Sequence, residues 1–236
     1  LYSRAYAVML FPLSRVSWIL ARVMFASFSL VQEQPQRVRE LFLKSTRAIS
    51  VVTFPMMLGV AACAEPFVAC LFGARWMDMV PTLRVLALVG MVQSITTLNA
   101  NLYYALGRSG LKLRVDLPSY AVQIVGMVIG LKWGIFGVAV GYAAAALAME
   151  PVGCYFSGRL IGLSLRDFFL NLRGVFLCAL AMALAVGALG EALSPALPAL
   201  ARLASQIAAG ACVYVGLLHV FHIQGYHDLR KNAGWA

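Results

Sequence analysis

Residues 115–158 read VDLPSYAVQIVGMVIGLKWGIFGVAVGYAAAALAMEPVGCYFSG. Two apolar runs, 115–131 and 134–158, flank a short turn that carries Lys132. Each run is close to the roughly 20 residues that a helix needs to cross a bilayer core. Gly126, Gly130 and Gly134 lie four apart, followed by Gly137 and Gly141. Small residues at this spacing let two helix backbones approach closely, so the stretch predicts two tightly packed membrane helices.

The same pattern extends over the whole chain. Of its 236 residues 62% are hydrophobic and only 12% charged, and mean hydropathy is +0.84. Soluble domains carry about 25% charged residues. The apolar blocks predict an all-α, polytopic transmembrane bundle of about seven spans: 5–31, 48–72, 79–106, 115–131, 134–158, 168–190 and 197–223. Short alternating strands, the mark of a membrane barrel, do not occur in the pattern. Residues 1–236 are expected to form a single transmembrane region, with 32–47 as a basic amphipathic connection. Val38, Leu41, Phe42 and Ile49 fall at helical spacing there among Arg37, Arg39, Lys44 and Arg47, a pattern suited to an anionic leaflet. The chain begins at Leu1 with no signal-peptide pattern and reads as the later part of a longer protein.

Net charge is +10, and its distribution orients the spans. Twelve Lys or Arg lie in the connections after spans one, three and five and in the C-terminal tail, among them Arg108, Lys112, Arg114 and Arg159. The other side holds four, Arg4, Arg75, Lys132 and Arg202. By the positive-inside rule the C-terminus is expected in the cytoplasm. The charge is thereby explained as topology, and no nucleic-acid partner is expected. Five cysteines in or beside apolar blocks, with no CxxC pair, suit small reduced hydrophobes. The last span contains no lysine, so a retinal Schiff base has no attachment point.

Ionisable and polar groups inside spans are the candidates for function, because they are costly there. Arg15 and Arg22 are seven residues apart in span one, within about 20° of one face and about 10 Å apart along the axis. Pro12, one turn earlier, is expected to loosen the helix. The cost of central arginines favours a cationic stripe facing a wet cavity and an anionic ligand such as phosphate. The alternative is that Arg22 snorkels to the interface while Arg15 pairs with an acid. In span three Arg84 lies near the outer end, and Gln93, Thr97, Asn101 and Arg108 recur at nearly helical spacing. Hydroxyls, amides and arginines of this kind bind sugars and phosphates; polar residues also join helices by hydrogen bonds. Glu150, inside span five before Pro151, is a candidate for proton or Na+ coupling or for structural pairing with an arginine. His219 and His222 are three apart without a carboxylate or thiol beside them, so no metal site is expected. No nucleophile elbow, Walker sequence or paired carboxylates point to catalysis or ATP hydrolysis.

Several segments, in order, resemble a known family. They are LYSRAY (1–6), FPLS (11–14), ARVMFASFSLVQ (21–32), TFPMMLGVAACAEPFVACLFGARW (53–76), VLALVGMVQS (85–94) and ALGRSG (105–110). Together they are similar to bacterial O-antigen and exopolysaccharide flippases of the multidrug/oligosaccharidyl-lipid/polysaccharide exporter superfamily. The sequence departs from that pattern at Ala26 and Leu30. Arg22 falls where similar sequences have arginine, whereas Arg15 rests on physics alone. The resemblance implies the second lobe of a two-lobe flippase, lacking its first helix and followed by an extra helix pair. It implies transport rather than catalysis: movement of undecaprenyl-diphosphate-linked oligosaccharide across the bacterial inner membrane by alternating access. No cofactor is implied beyond coupling to H+ or Na+. The implied partners are the glycolipid, membrane lipids, a polysaccharide polymerase and a chain-length regulator. The alternatives are a peptidoglycan-precursor flippase, a drug/cation antiporter, or a membrane polymerase or acyltransferase. An antiporter for cations should show acidic groups in its cavity, where arginines predominate in this sequence. A polymerase or acyltransferase should show catalytic His, Asp or Glu, often on a sizeable loop.

Overall fold

The computed structural model describes residues 1–12, 14, 18–193 and 198–221. They are helical with no strand. The helices are α1 (Tyr2–Pro12), α2 (Trp18–Leu30), α3 (Pro35–Ala62), α4 (Ala64–Leu71), α5 (Val80–Ala105), α6 (Ser109–Gly130), α7 (Gly134–Leu160), α8 (Leu165–Leu193) and α9 (Ala199–Val220).

Among the described residues, five helical stretches are long and apolar enough to cross a membrane: Pro35–Ala62, Ala74–Ala105, Ser109–Leu160, Leu165–Leu193 and Ala199–Val220. The third has 52 residues, more than twice what a bilayer needs. It doubles back at a 3-10 turn, Leu131–Trp133, closed by Gly134 at φ +70°. Only glycine holds that backbone readily. The predicted spans 115–131 and 134–158 are therefore the two arms of one hairpin, α6 and α7. Of the predicted first span, Tyr2–Pro12 (α1) and Trp18–Leu30 (α2) are helical, and residues 13 and 15–17 between them lie outside the described residues.

The hairpin closes through glycine. A Cβ on Gly126 or Gly130 would strike the carbonyl of Gly141 or Gly137, and the reverse holds too. The two backbones are in direct contact, as the glycine spacing predicts.

The basic segment 32–47 is helical from Pro35 onward. Residues 35–62 form one helix, so the basic stretch continues directly into the second predicted span. Its apolar face meets protein: Val38, Phe42 and Ile49 are fully buried, and the Phe42 ring lies 6.4 Å from Phe28 and 6.0 Å from Phe168. Two of its cations hold the start of α8. Arg39 donates to the Gly162 carbonyl (3.1 Å) and pairs with Asp167 (3.0 Å), and Arg47 Nε donates to Asn171 Oδ1 (3.0 Å).

α3 and α5 form the centre. Leu83, Leu86, Leu98 and Leu102 of α5 are fully buried, and α3, α7, α1 and α2 pack around them. Thr53 of α3 and Ser94 of α5, both fully buried, share a hydrogen bond of 2.8 Å. α3 also contains Pro55, which has no N–H to give the carbonyl of Val51 one turn earlier. The hydroxyl of Tyr214 on α9 donates to that carbonyl at 2.8 Å. A broken helical bond is thus repaired from a neighbouring helix.

Candidate functional site

A polar cavity of about 500 Å³ opens between α1, α5, α6 and α7. α5 supplies Gln93, Thr96, Thr97, Asn99 and Tyr103; α6 supplies Lys112, Asp116, Ser119, Tyr120 and Gln123; α7 supplies Tyr142 and Glu150; α1 supplies Tyr6. The α6 residues 112, 116, 119 and 123 advance by four, three and four, which keeps them on one helix face. That stripe crosses an otherwise apolar helix whose other faces expose Leu113, Leu117, Ile124 and Val128.

Lys112 and Asp116, one turn apart, form an ion pair with their side chains 17% and 28% exposed. Glu150 lines the same cavity, with Thr96, Lys112 and Asp116. One ammonium and two carboxylates therefore share this space. Gln93 Nε2 donates to the Tyr142 hydroxyl (2.8 Å), joining α5 to α7 across the cavity wall. Tyr142 packs edge-on to Tyr6 with ring centroids 6.4 Å apart. Deeper along the α5–α7 contact, Asn99 Nδ2 points to Cys154 Sγ (3.6 Å), and Ser157 donates to Asn99 Oδ1 (3.2 Å).

Gln93, Thr97 and Glu150 are thus brought together, and Asn101 and Arg84 are not. Asn101 does not line the cavity; its amide donates to the Thr97 carbonyl of its own helix (3.3 Å). Four-residue steps overshoot a helical turn by about 40° each, so Asn101 has rotated about 80° from Gln93. Arg84 sits at the other end of α5, where it donates to Glu65 (3.0 Å). Glu65 also lies 3.8 Å from Arg202. Arg15 lies outside the described residues, and of Arg22 only its place in α2 is described. His222 likewise lies outside them. Among the residues whose side chains are described, no arginine lines the cavity.

Asp116, Thr96, Asn99, Tyr103 and Gln123 were not singled out from the sequence, and Lys112 was read only as a topology signal. The available cue was the stripe 112–116–119–123, which has the period of a helix face in a segment of spanning length.

The polysaccharide biosynthesis protein family matches residues 1–81. The teichuronic acid biosynthesis protein TuaB of Bacillus subtilis (strain 168) is 29% identical over 229 residues, 92% of this chain and 46% of that protein. The lipopolysaccharide biosynthesis protein WzxC of Escherichia coli (strain K12) is 28% identical over 174 residues, 72% of this chain and 35% of its own. Among solved structures, the lipid II flippase MurJ in an inward closed conformation matches 97% of this chain and 47% of its own, with TM-score 0.76 and 18% identity. The chain spans less than half the length of these relatives. In sequence the chain resembles polysaccharide-biosynthesis proteins, and in fold, over nearly all of its length, it resembles the multi-pass helical bundle of the MurJ structure.

Proposed function

We propose that this chain is part of an exporter that moves undecaprenyl-diphosphate-linked oligosaccharide across the bacterial inner membrane by alternating access. The observation that carries the proposal is the polar cavity between α1, α5, α6 and α7 inside an otherwise apolar bundle. Hydroxyls and amides from Gln93, Thr97, Ser119 and Gln123 suit sugar hydroxyls, and the Tyr6 and Tyr120 rings offer flat faces to a pyranose. Lys112 is the cation within reach of a phosphate, with Arg15 and Arg22 of the first predicted span as further diphosphate contacts. Glu150 is the candidate for H+ or Na+ coupling. The Lys/Arg distribution supports a cytoplasmic C-terminus. A polysaccharide polymerase and a chain-length regulator are the partners such an exporter would serve.

A cation antiporter is the second reading, and one observation favours it. The cavity holds two carboxylates and one lysine, so its charge suits a cation better than the sequence suggested.

Export of polymer by a deletion strain complemented with the full-length protein tests both. Glu150→Gln and Lys112→Met are expected to lower export at least about tenfold, a loss of about 1.4 kcal/mol in the limiting step, with normal membrane amounts by immunoblot. Full export by both variants would refute the cavity's role. Drug resistance that depends on Glu150, with export unaffected, would establish the antiporter instead.

A further inference from the structure

A second space lies on the opposite side of the bundle. At the end of the bundle that carries Arg84 and Glu65, a polar mouth of about 580 Å³ is lined by Glu65, Arg84, Glu191, Arg202 and Gln206. Beneath it an apolar groove of about 450 Å³ runs between α3, α4, α8 and α9 past Met56, Val60, Phe67 and Ile207 to Tyr214. Gln206 lines both, so mouth and groove meet at its side chain.

Gln206 is only 2% exposed. Its Nε2 donates to the Val186 carbonyl on α8 (3.0 Å). α8 makes room for the amide with Gly190, where a Cβ would collide with Nε2. Its Oε1 has no hydrogen-bond partner among the described residues. A buried acceptor without a donor is costly, and the matching ligand brings an N–H or O–H. The charges in the mouth are balanced. Two guanidinium groups and two carboxylates line it, and Glu65 is bonded to Arg84 while remaining about half exposed. A wholly anionic headgroup would meet Glu65 and Glu191 as readily as the arginines. A headgroup carrying both a phosphate and an ammonium has a partner for each charge.

The dimensions agree. Arg202 is in the first turn of α9 and Tyr214 is twelve residues on, about 18 Å along the axis. Half a bilayer core is about 15 Å, so the groove matches an acyl chain descending from one leaflet.

We infer that this joined space binds one zwitterionic glycerophospholipid of the phosphatidylethanolamine type. Its phosphate lies toward Arg84 and Arg202, its ammonium toward Glu65 and Gln206 Oε1, and an acyl chain fills the groove. The site is separate from the polar cavity and stands whatever glycolipid that cavity takes.

Native mass spectrometry of the purified full-length protein, with lipids added singly, tests the assignment. Phosphatidylethanolamine is expected to stay bound one per protomer. Phosphatidylglycerol, which lacks the ammonium, and phosphatidylcholine, whose ammonium cannot donate, are expected to bind at least about tenfold more weakly, one decade of affinity. Gln206→Leu should reduce phosphatidylethanolamine to the phosphatidylcholine level. Gly59→Leu should abolish binding by filling the groove; a Cβ there meets only Met182 Cε at 3.8 Å, so the helix accepts it. Val128→Trp, on the outer face of α6, should change nothing. Equal or tighter binding of phosphatidylglycerol would overturn the headgroup assignment, and retention of lipid by Gly59→Leu would overturn the site. Should the variants not survive purification, the wild-type protein with a photoactivatable phosphatidylethanolamine decides. Labelling within 55–67 and 203–214 supports the site, and labelling confined elsewhere refutes it.

Discussion

α5 and the α6–α7 hairpin carry polar residues into the membrane in opposite ways. In the most apolar stretch of Ala74–Ala105 61% of the residues are buried, and in that of Ser109–Leu160 17%. Two buried polar groups of α5 have found partners on other helices: Ser94 with Thr53 of α3, and Asn99 with Ser157 of α7. On α6 the polar stripe stays half-buried, and its charges are paired along the same helix, Lys112 with Asp116. Gln93 and Asn99 of α5 bond α7 from the cavity wall, whereas the polar stripe of α6 faces the cavity with no hydrogen bond to a second helix among the described residues. Residue type does not distinguish them; the nearness of a partner does.

That contrast can be broken most severely in the hairpin. Gly141→Leu would push a side chain into the Gly126 carbonyl and is expected to cost about 3 kcal/mol or more, seen as loss of folded protein in detergent unfolding. Gly216→Leu, with nothing within 4 Å of its Cβ position, should be neutral or mildly stabilising in the same assay. Equal effects would mean that backbone contact does not hold the hairpin. Next in size is Tyr214→Phe, which leaves the Val51 carbonyl without a donor beside Pro55. About 1–3 kcal/mol of stability should be lost. An unchanged midpoint would indicate that the carbonyl finds another donor.

The Thr53–Ser94 bond should be worth less. A double-mutant cycle of Thr53→Val and Ser94→Ala is expected to give a coupling of about 0.6 kcal/mol, the usual scale for hydrogen bonds between membrane helices. Coupling near zero would show that these hydroxyls are satisfied by their own helices, since both also bond a carbonyl three or four residues back. Smallest is Arg39→Ala. Its pair with Asp167 is partly exposed, and a loss of at most about 1 kcal/mol should fade in high salt.

Hydropathy made the bundle legible because each helix in a membrane must be long and apolar on its own account. The α6–α7 crossing was legible for the same local reason, since its glycines recur within one stretch of sequence. Contacts between distant segments were not. Arg39 and Arg47 read as leaflet-facing cations, yet each reaches α8 more than 120 residues away. Arg84 read as sharing a cavity with Gln93, but it lines the second space instead, with its carboxylate partner 19 residues earlier. Gln93, Thr97 and Glu150 could be chosen as isolated polar residues in apolar runs. That they share one cavity with Lys112 and Asp116 depends on the packing of α5, α6 and α7, which no single run encodes.

The bond from Tyr214 to Val51 has a mechanical consequence. A helix gains stiffness from its ladder of internal bonds, and at Pro55 one rung of α3 is supplied by a residue 163 positions away. The rigidity of a central helix is thereby lent to it by the outermost one. Drawing α9 aside by an ångström or two would withdraw the rung and leave α3 free to bend at its midpoint, without breaking any bond that α3 makes to itself.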